Sequence, residues 1–177
     1  FCAGNDWLPA FYQVLPEHLE MYRAAGFGVL CIGHEGIVDL SCFTLTGGEN
    51  KGIRSAVNRM TKSGYRAEVV EPPHPPDLLK ELFAISNEWL TDRHGAEKRF
   101  SLGWFDEAYL NDCPIMLIRN PQGWVDAFAN IVGEYQAGEA TIDLMRHRSS
   151  AGHGQMDFLF ASLFEWARQK GYKTFNL

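Results

Sequence analysis

Asp143, Arg146, His147 and Arg148 lie within six consecutive positions, and Gly152, His153 and Gly154 follow shortly after. A carboxylate, two guanidiniums and an imidazole beside a glycine-rich turn can hold an amine, steady a phosphate or ester oxygen, and move a proton. His147 and His153 are the candidate general bases, although a lone loop histidine is more often solvated surface. An Asp and an Arg three residues apart most often form a structural ion pair. On a regular strand, Ile142, Leu144 and Arg146 share one face and Asp143 and Met145 the other, so Asp143 and Arg146 point apart unless a bulge intervenes. If they converge, they form a structural pair or order a reacting ester. If they diverge, Asp143 is free to hold an amine while Arg146 and Arg148 face phosphate.

No GxSxG, HExxH, Walker loop or Cys/His nucleophile signature occurs, so any catalysis is expected to work by positioning and electrostatics without a covalent enzyme intermediate. The four cysteines, Cys2, Cys31, Cys42 and Cys113, show no metal-ligand spacing. No metal site is therefore expected, and a reducing compartment fits best.

The elements that must position these groups follow from hydrophobic period. Met156, Leu159, Phe160, Leu163, Phe164 and Ala167 recur at three- and four-residue spacing and predict a helix over 156–170, with Gly171 as its left-handed stop. The turn 152–154 then lies at the positive end of that helix, where free backbone N–H groups suit phosphate or carboxylate. Thr141 to Leu144 precedes it as a strand, and a second strand follows. Pro114–Arg119 and Trp124–Val132 read as a hairpin around 120–123. Asp77 is expected to cap a helix through Leu90, with Leu78, Leu82, Ile85 and Trp89 inward. Residues 93–106 read as a polar and aromatic loop, too apolar for a plain linker and so a covering lid, and the tryptophans Trp89, Trp104, Trp124 and Trp166 as core and rim. Val29–Ile32 and Ile37–Leu40 are candidate strands of a further hairpin.

Five cations and no acid lie between Lys51 and Ala67. A helix over 51–63 would carry Lys51, Arg54, Arg59 and Lys62 as an anion-binding face or as a solvated surface. The chain as a whole has a net charge of -6, which argues against a general nucleic-acid coat. Its longest aliphatic stretch, Ile115–Ile118, is far too short to span a bilayer. The segment 71–76 holds four of the eight prolines and is the expected joint between two halves, 1–70 and 77–177. The abrupt aromatic start suggests a piece of something longer. The order of elements is that of an α/β (α+β) fold with mixed sheets flanked by helices.

Several ordered motifs carry a family resemblance: Thr141–Arg146, Gly154–Phe160 and Gly171–Leu177, supported by 56–59, 71–73, 88–90, 100–103 and 127–131. Together they resemble the C-terminal part of the phosphatidylglycerol lysyltransferase, or multiple peptide resistance, family, which includes alanyl-transferring members. The resemblance implies tandem N-acetyltransferase-like (GNAT) folds, truncated at the start of the first and the end of the second. It implies transfer of an amino acid, lysine favoured over alanine, from aminoacyl-tRNA to the glycerol hydroxyl of phosphatidylglycerol, giving resistance to cationic antimicrobial peptides. The setting implied is the cytoplasmic face of the bacterial inner membrane, attached to the parent protein's N-terminal membrane domain. No cofactor is implied beyond aminoacyl-tRNA as co-substrate. Asp143, Arg146 and His147 become the expected catalytic residues. Gly152, His153, Gly154, Arg148, Glu139 and Asn130 become substrate-binding, and Lys51, Arg54, Arg59 and Lys62 hold tRNA or lipid phosphate. Rival readings are an acyl-CoA-dependent N-acyltransferase, since a helix start serves CoA phosphates equally well, and a non-catalytic lipid or tRNA binding module.

Overall fold

Two opposed apolar surfaces on one sheet organise the larger part of the molecule. The computed structural model describes residues 1–95, 97, 103–133, 137–150 and 152–177. Its six strands are β1 (Ile37–Asp39), β2 (Arg66–Val70), β3 (Ile115–Arg119), β4 (Val125–Val132), β5 (Glu139–His147) and β6 (Thr174–Asn176). They form one mixed sheet in the order β1-β6-β5-β4-β3-β2. All neighbours are antiparallel except β5 and β6, which run parallel.

The helices are α1 (Leu19–Ala24), α2 (Lys51–Lys62), α3 (Pro76–Asp92), α4 (Glu107–Leu110) and α5 (Gln155–Gln169). The α5 face of the sheet buries Met116, Ile118, Ala127, Ala129, Ile131 and Ala140 under Phe158, Leu159, Leu163 and Phe164, with Met60 of α2 alongside. The opposite face buries Ile115, Leu117, Val125, Phe128 and Leu144 under Leu79, Leu82 and Ile85 of α3 and Leu110 of α4. A strand covered on both faces has no polar side to show, which is why β3 reads as an unbroken aliphatic run. Each fully buried Leu, Ile or Phe contributes about 1.5–3 kcal/mol.

The predicted α5, its Gly171 stop at φ 91°, and the β3–β4 hairpin are all present. Three expectations need correction. Val29–Ile32 forms no strand; Ile37–Asp39 pairs instead with β6, because those residues find a longer-range partner. Asp77 lies in the first turn of α3, and Pro75 holds the N-cap position without a side-chain bond. The proline-rich 71–76 does not separate halves 1–70 and 77–177. β2 precedes it and hydrogen-bonds to β3 beyond it, so the prolines join a strand to a helix inside one unit. The compact units are 1–34 and 35–177. The sheet seen is therefore a single one among the described residues, not a tandem pair. In the smaller unit, Phe11 packs on Tyr22 and Phe27, with ring centroids 4.8 and 5.3 Å away.

Candidate active site

The site is built on an irregularity in β5. Ala129 pairs with Met145 and Ile131 with Ile142, so three steps on β5 match two on β4. The extra residue makes a β-bulge at Asp143 and Leu144. Ile142 packs on the α5 side and Leu144 on the α3 side, and Met145 returns to the α5 side. Asp143 and Arg146 are thereby brought to the same α3/α4 face. The regular alternation expected from the sequence fails at this one step.

Asp143 is held from two directions. The Gly103 N–H donates to its Oδ1 at 2.8 Å, and the Tyr109 hydroxyl donates to its Oδ2 at 2.8 Å. A Cβ on Gly103 would fall 2.8 Å from the Asp143 Cγ and closer still to its oxygen, so only glycine permits this approach. Tyr109 stands in α4, a short helix started by Asp106, whose Oδ1 accepts the Tyr109 N–H at 2.9 Å. Burial and the bond to Asp143 push the tyrosine hydroxyl well above its ordinary range, so it acts as a donor and not as a base.

Arg146 is nine-tenths buried. Its guanidinium lies 4.1 Å above the Trp89 ring, and Nη2 donates to Glu97 Oε2 at 3.2 Å. Burial pulls its pKa down, while the Glu97 and Asp143 carboxylates oppose that shift. The group stays cationic. Asp143 and Arg146 thus share a face and a field, but each has its own direct partners. Arg93 stacks on the same Trp89 at 4.5 Å. Trp89 is a stacking platform, contrary to the expectation of core or rim.

The other expected residues divide. His147 points to the α5 side, away from Asp143 and Arg146, and with residues 152–157 lines a cleft of about 250 Å³. Its Nδ1 donates to the Arg148 carbonyl at 2.9 Å. The expected catalytic trio is therefore not gathered: His147 is separated by the strand itself. Arg148 does not face phosphate. Its Nε donates to the Val125 carbonyl at 2.9 Å and its Nη1 to Glu88 at 3.3 Å, which ties β5 to α3. Glu139 starts β5, where it accepts from Asn176 Nδ2 at 3.4 Å. Asn130 is fully buried, so it does not present itself to substrate.

The basic helix also divides. Arg54 donates to the carbonyls of Leu45 and Gly47 at 2.7 and 2.5 Å and so closes its own loop. Lys51 and Lys62 are exposed at opposite ends of α2. Arg59 alone of the four reaches the turn at the start of α5, where Nη2 donates to the His153 carbonyl at 2.5 Å. Gly154 there has φ 91°, and a Cβ on it would run into the Arg59 guanidinium and lie 2.9 Å from Ala56 Cβ. The turn at the start of α5 thus has one guanidinium bonded to its backbone. Beside it, β5 and β6 pair only as far as Thr141 and Asn176, leaving the β6-side edge of β5 unpaired from Ile142 onward among the described residues.

No group of three or more His, Cys, Asp or Glu among the described residues is placed to hold a metal. Tyr109, Glu97 and Gly103 were missed from the sequence. Their signal was present only as the 88–90 and 100–103 motifs flanking a loop that lacked helical period. Residues 98–102 of the expected covering loop lie outside the described residues.

The whole chain, residues 1–177, matches the family model described as phosphatidylglycerol lysyltransferase, C-terminal. The chain belongs to that family. It is 42% identical over 167 residues to a Bacillus subtilis phosphatidylglycerol lysyltransferase, covering 94% of this chain and 19% of that protein. A Staphylococcus haemolyticus phosphatidylglycerol lysyltransferase is 35% identical, with 94% of this chain and 20% of that protein covered. The chain thus spans about a fifth of these lysyltransferases. The solved L-PGS structure from Bacillus licheniformis superposes with a TM-score of 0.94 at 40% identity, over 99% of this chain and 55% of that one. A fungal GCN5-related glucosamine N-acetyltransferase region gives a TM-score of 0.53 at 13% identity over 91% of this chain and 20% of that chain, a likeness of fold alone. The lysyltransferase-family sheet is therefore of the N-acetyltransferase type. No described helix is long and apolar enough to cross a membrane.

Proposed function

We propose that this chain carries the acyl-transfer site of a phosphatidylglycerol aminoacyltransferase, which moves an amino acid from aminoacyl-tRNA to a glycerol hydroxyl of the lipid. The observation that carries the reading is the β5 bulge, which sets a hydrogen-bonded carboxylate and a stacked guanidinium side by side. Asp143 binds the ammonium of the aminoacyl group. Arg146 faces the ester oxygen or the terminal phosphate of the tRNA. Arg59 and the α5 N-terminus hold phosphates of the acceptor end. The names of the relatives favour lysine as the amino acid.

In the reaction the glycerol oxygen attacks the ester carbonyl carbon, the bond to the ribose oxygen breaks, and the proton of the glycerol hydroxyl ends on that ribose oxygen. One ester replaces another, so no energy cofactor is needed. What the site must supply is proximity and a preorganised field for the tetrahedral oxyanion. With His147 on the far side of the strand, Tyr109 held protonated and the substrate's amine bound as an ammonium, no side chain is assigned as base, and the glycerol proton passes to the departing ribose oxygen as the ester exchanges. The whole protein acts where both substrates meet, at the cytoplasmic face of the inner membrane, with the chain carried by an N-terminal membrane domain.

The test uses the intact parent enzyme with phosphatidylglycerol vesicles and, in turn, lysyl-tRNA, alanyl-tRNA and acetyl-CoA, with lipid products resolved by mass. Lysyl-phosphatidylglycerol from lysyl-tRNA, with no product from acetyl-CoA, is the expected result. Acetyl transfer to an amine replaces this reading with an N-acyltransferase. Binding of both substrates without transfer reduces the chain to a binding module.

A further inference from the structure

Asn130 lies on β4 directly opposite the β5 bulge and is fully buried. Its Oδ1 accepts the Leu144 N–H at 2.7 Å, the place a ladder carbonyl would take in a regular pair. The rest of the amide stands beside the Tyr109 hydroxyl and the Cys113 thiol. An apolar residue in the same position would leave the Leu144 N–H buried and unpaired. The strand could recover that bond only by expelling the extra residue, and a one-residue slip reverses every side chain beyond it.

We propose that Asn130 is the positioning residue of this site: its carboxamide locks the extra residue of β5 in place and so keeps Asp143 and Arg146 on one face. Direct contact with substrate is not its role. The expected effect on turnover rests on the function proposed above, but the lock itself is a property of the fold. The arrangement also gives a task to a polar residue in the middle of a strand whose neighbours, Ala129 and Ile131, are core.

The experiment compares Asn130→Leu, Asp143→Asn and the double variant in the intact enzyme, with a structure determination of each. Asn130→Leu is expected to lower kcat about as far as Asp143→Asn, on the order of 100-fold, with KM for lipid and aminoacyl-tRNA little changed. The double variant should fall no lower than the worse single one, because both remove the same placed carboxylate. In the structure of Asn130→Leu, Asp143 should have left Tyr109. Additive losses, or a bulge that persists in Asn130→Leu, overturn the proposal whatever reaction the enzyme performs. A slipped strand with undiminished transfer instead overturns the role given to Asp143.

Asn130→Asp keeps the inquiry decisive if the leucine variant does not fold. As a neutral acid it offers both the acceptor and a donor; as an anion it faces Asp143 across the bulge, with Tyr109 and Cys113 the other titratable groups beside it. Either form accepts the Leu144 N–H, so the bulge and the Asp143–Tyr109 bond should both persist in the structure of Asn130→Asp. A bulge lost in Asn130→Asp, although the acceptor is still there, counts against the lock.

Discussion

The two faces of β5 carry polar groups of different kinds. On the α3/α4 face each group is held: Asp143 by a backbone N–H and a tyrosine hydroxyl, Arg146 by a carboxylate and an aromatic ring. On the α5 face His147 and the 152–157 turn border an open cleft, and Arg59 bonds the carbonyl of His153 in that turn. Groups fixed before substrate arrives lose little reorganisation energy during reaction, which suits chemistry. Exposed groups beside a helix start suit the capture of a large, flexible anion, at the cost of screening by salt. The function proposed above puts transfer on the first face and grip on the second.

Gly103→Ala should break that division most severely. The added methyl displaces the Asp143 carboxylate, and a misplacement of this order is expected to cost about 100-fold in transfer, measured by lipid product formation, with tRNA affinity unchanged. Tyr109→Phe removes one donor to Asp143 and should cost about 10-fold, as expected for a hydrogen bond to a charged group. Arg59→Gln acts on the other face. It should leave kcat nearly alone but reduce the slope of log affinity for tRNA against log salt by about 0.7, the value for one single-stranded phosphate contact. An unchanged slope would assign Arg59 to α2–α5 packing alone.

The smallest effect concerns the clasp between the end of β5 and α3. The Ser149 N–H donates to Glu88 Oε1 at 2.8 Å, and this bond, helped by Arg148, holds the Glu88 carboxyl below its ordinary 4.5. A group whose folded pKa is depressed stabilises the fold above its unfolded value and loses that contribution as pH falls through the folded one. Urea midpoints should therefore decline below about pH 4.5, and Glu88→Gln should remove part of that decline.

Legibility from the sequence followed the range of the interactions. Helix α5, its Gly171 stop and the β3–β4 hairpin were legible because period and turn residues are local signals. The turn that precedes α5 was legible for the same reason. The bulge was not, since the Leu144 amide is held by a side chain fourteen positions away. Arg148 looked like Arg146 in sequence, yet Val125 and Glu88 claim it from other elements. Lys51, Arg54, Arg59 and Lys62 looked like one face, but the turn at 152–154 receives only Arg59 of these four. The prolines of 71–76 marked a break in local structure, which is not a break in the sheet.

The most direct measurement is the single-turnover rate of Asp143→Asn in the intact enzyme, with saturating lysyl-tRNA and phosphatidylglycerol. Asparagine keeps the size, and its one oxygen can still accept from Gly103 while its NH2 turns to the Tyr109 oxygen, but it carries no charge to hold an ammonium. The rate should fall by about 100-fold or more while tRNA and vesicle binding persist. A rate equal to that of the parent enzyme would contradict the placement of chemistry on the α3/α4 face of β5.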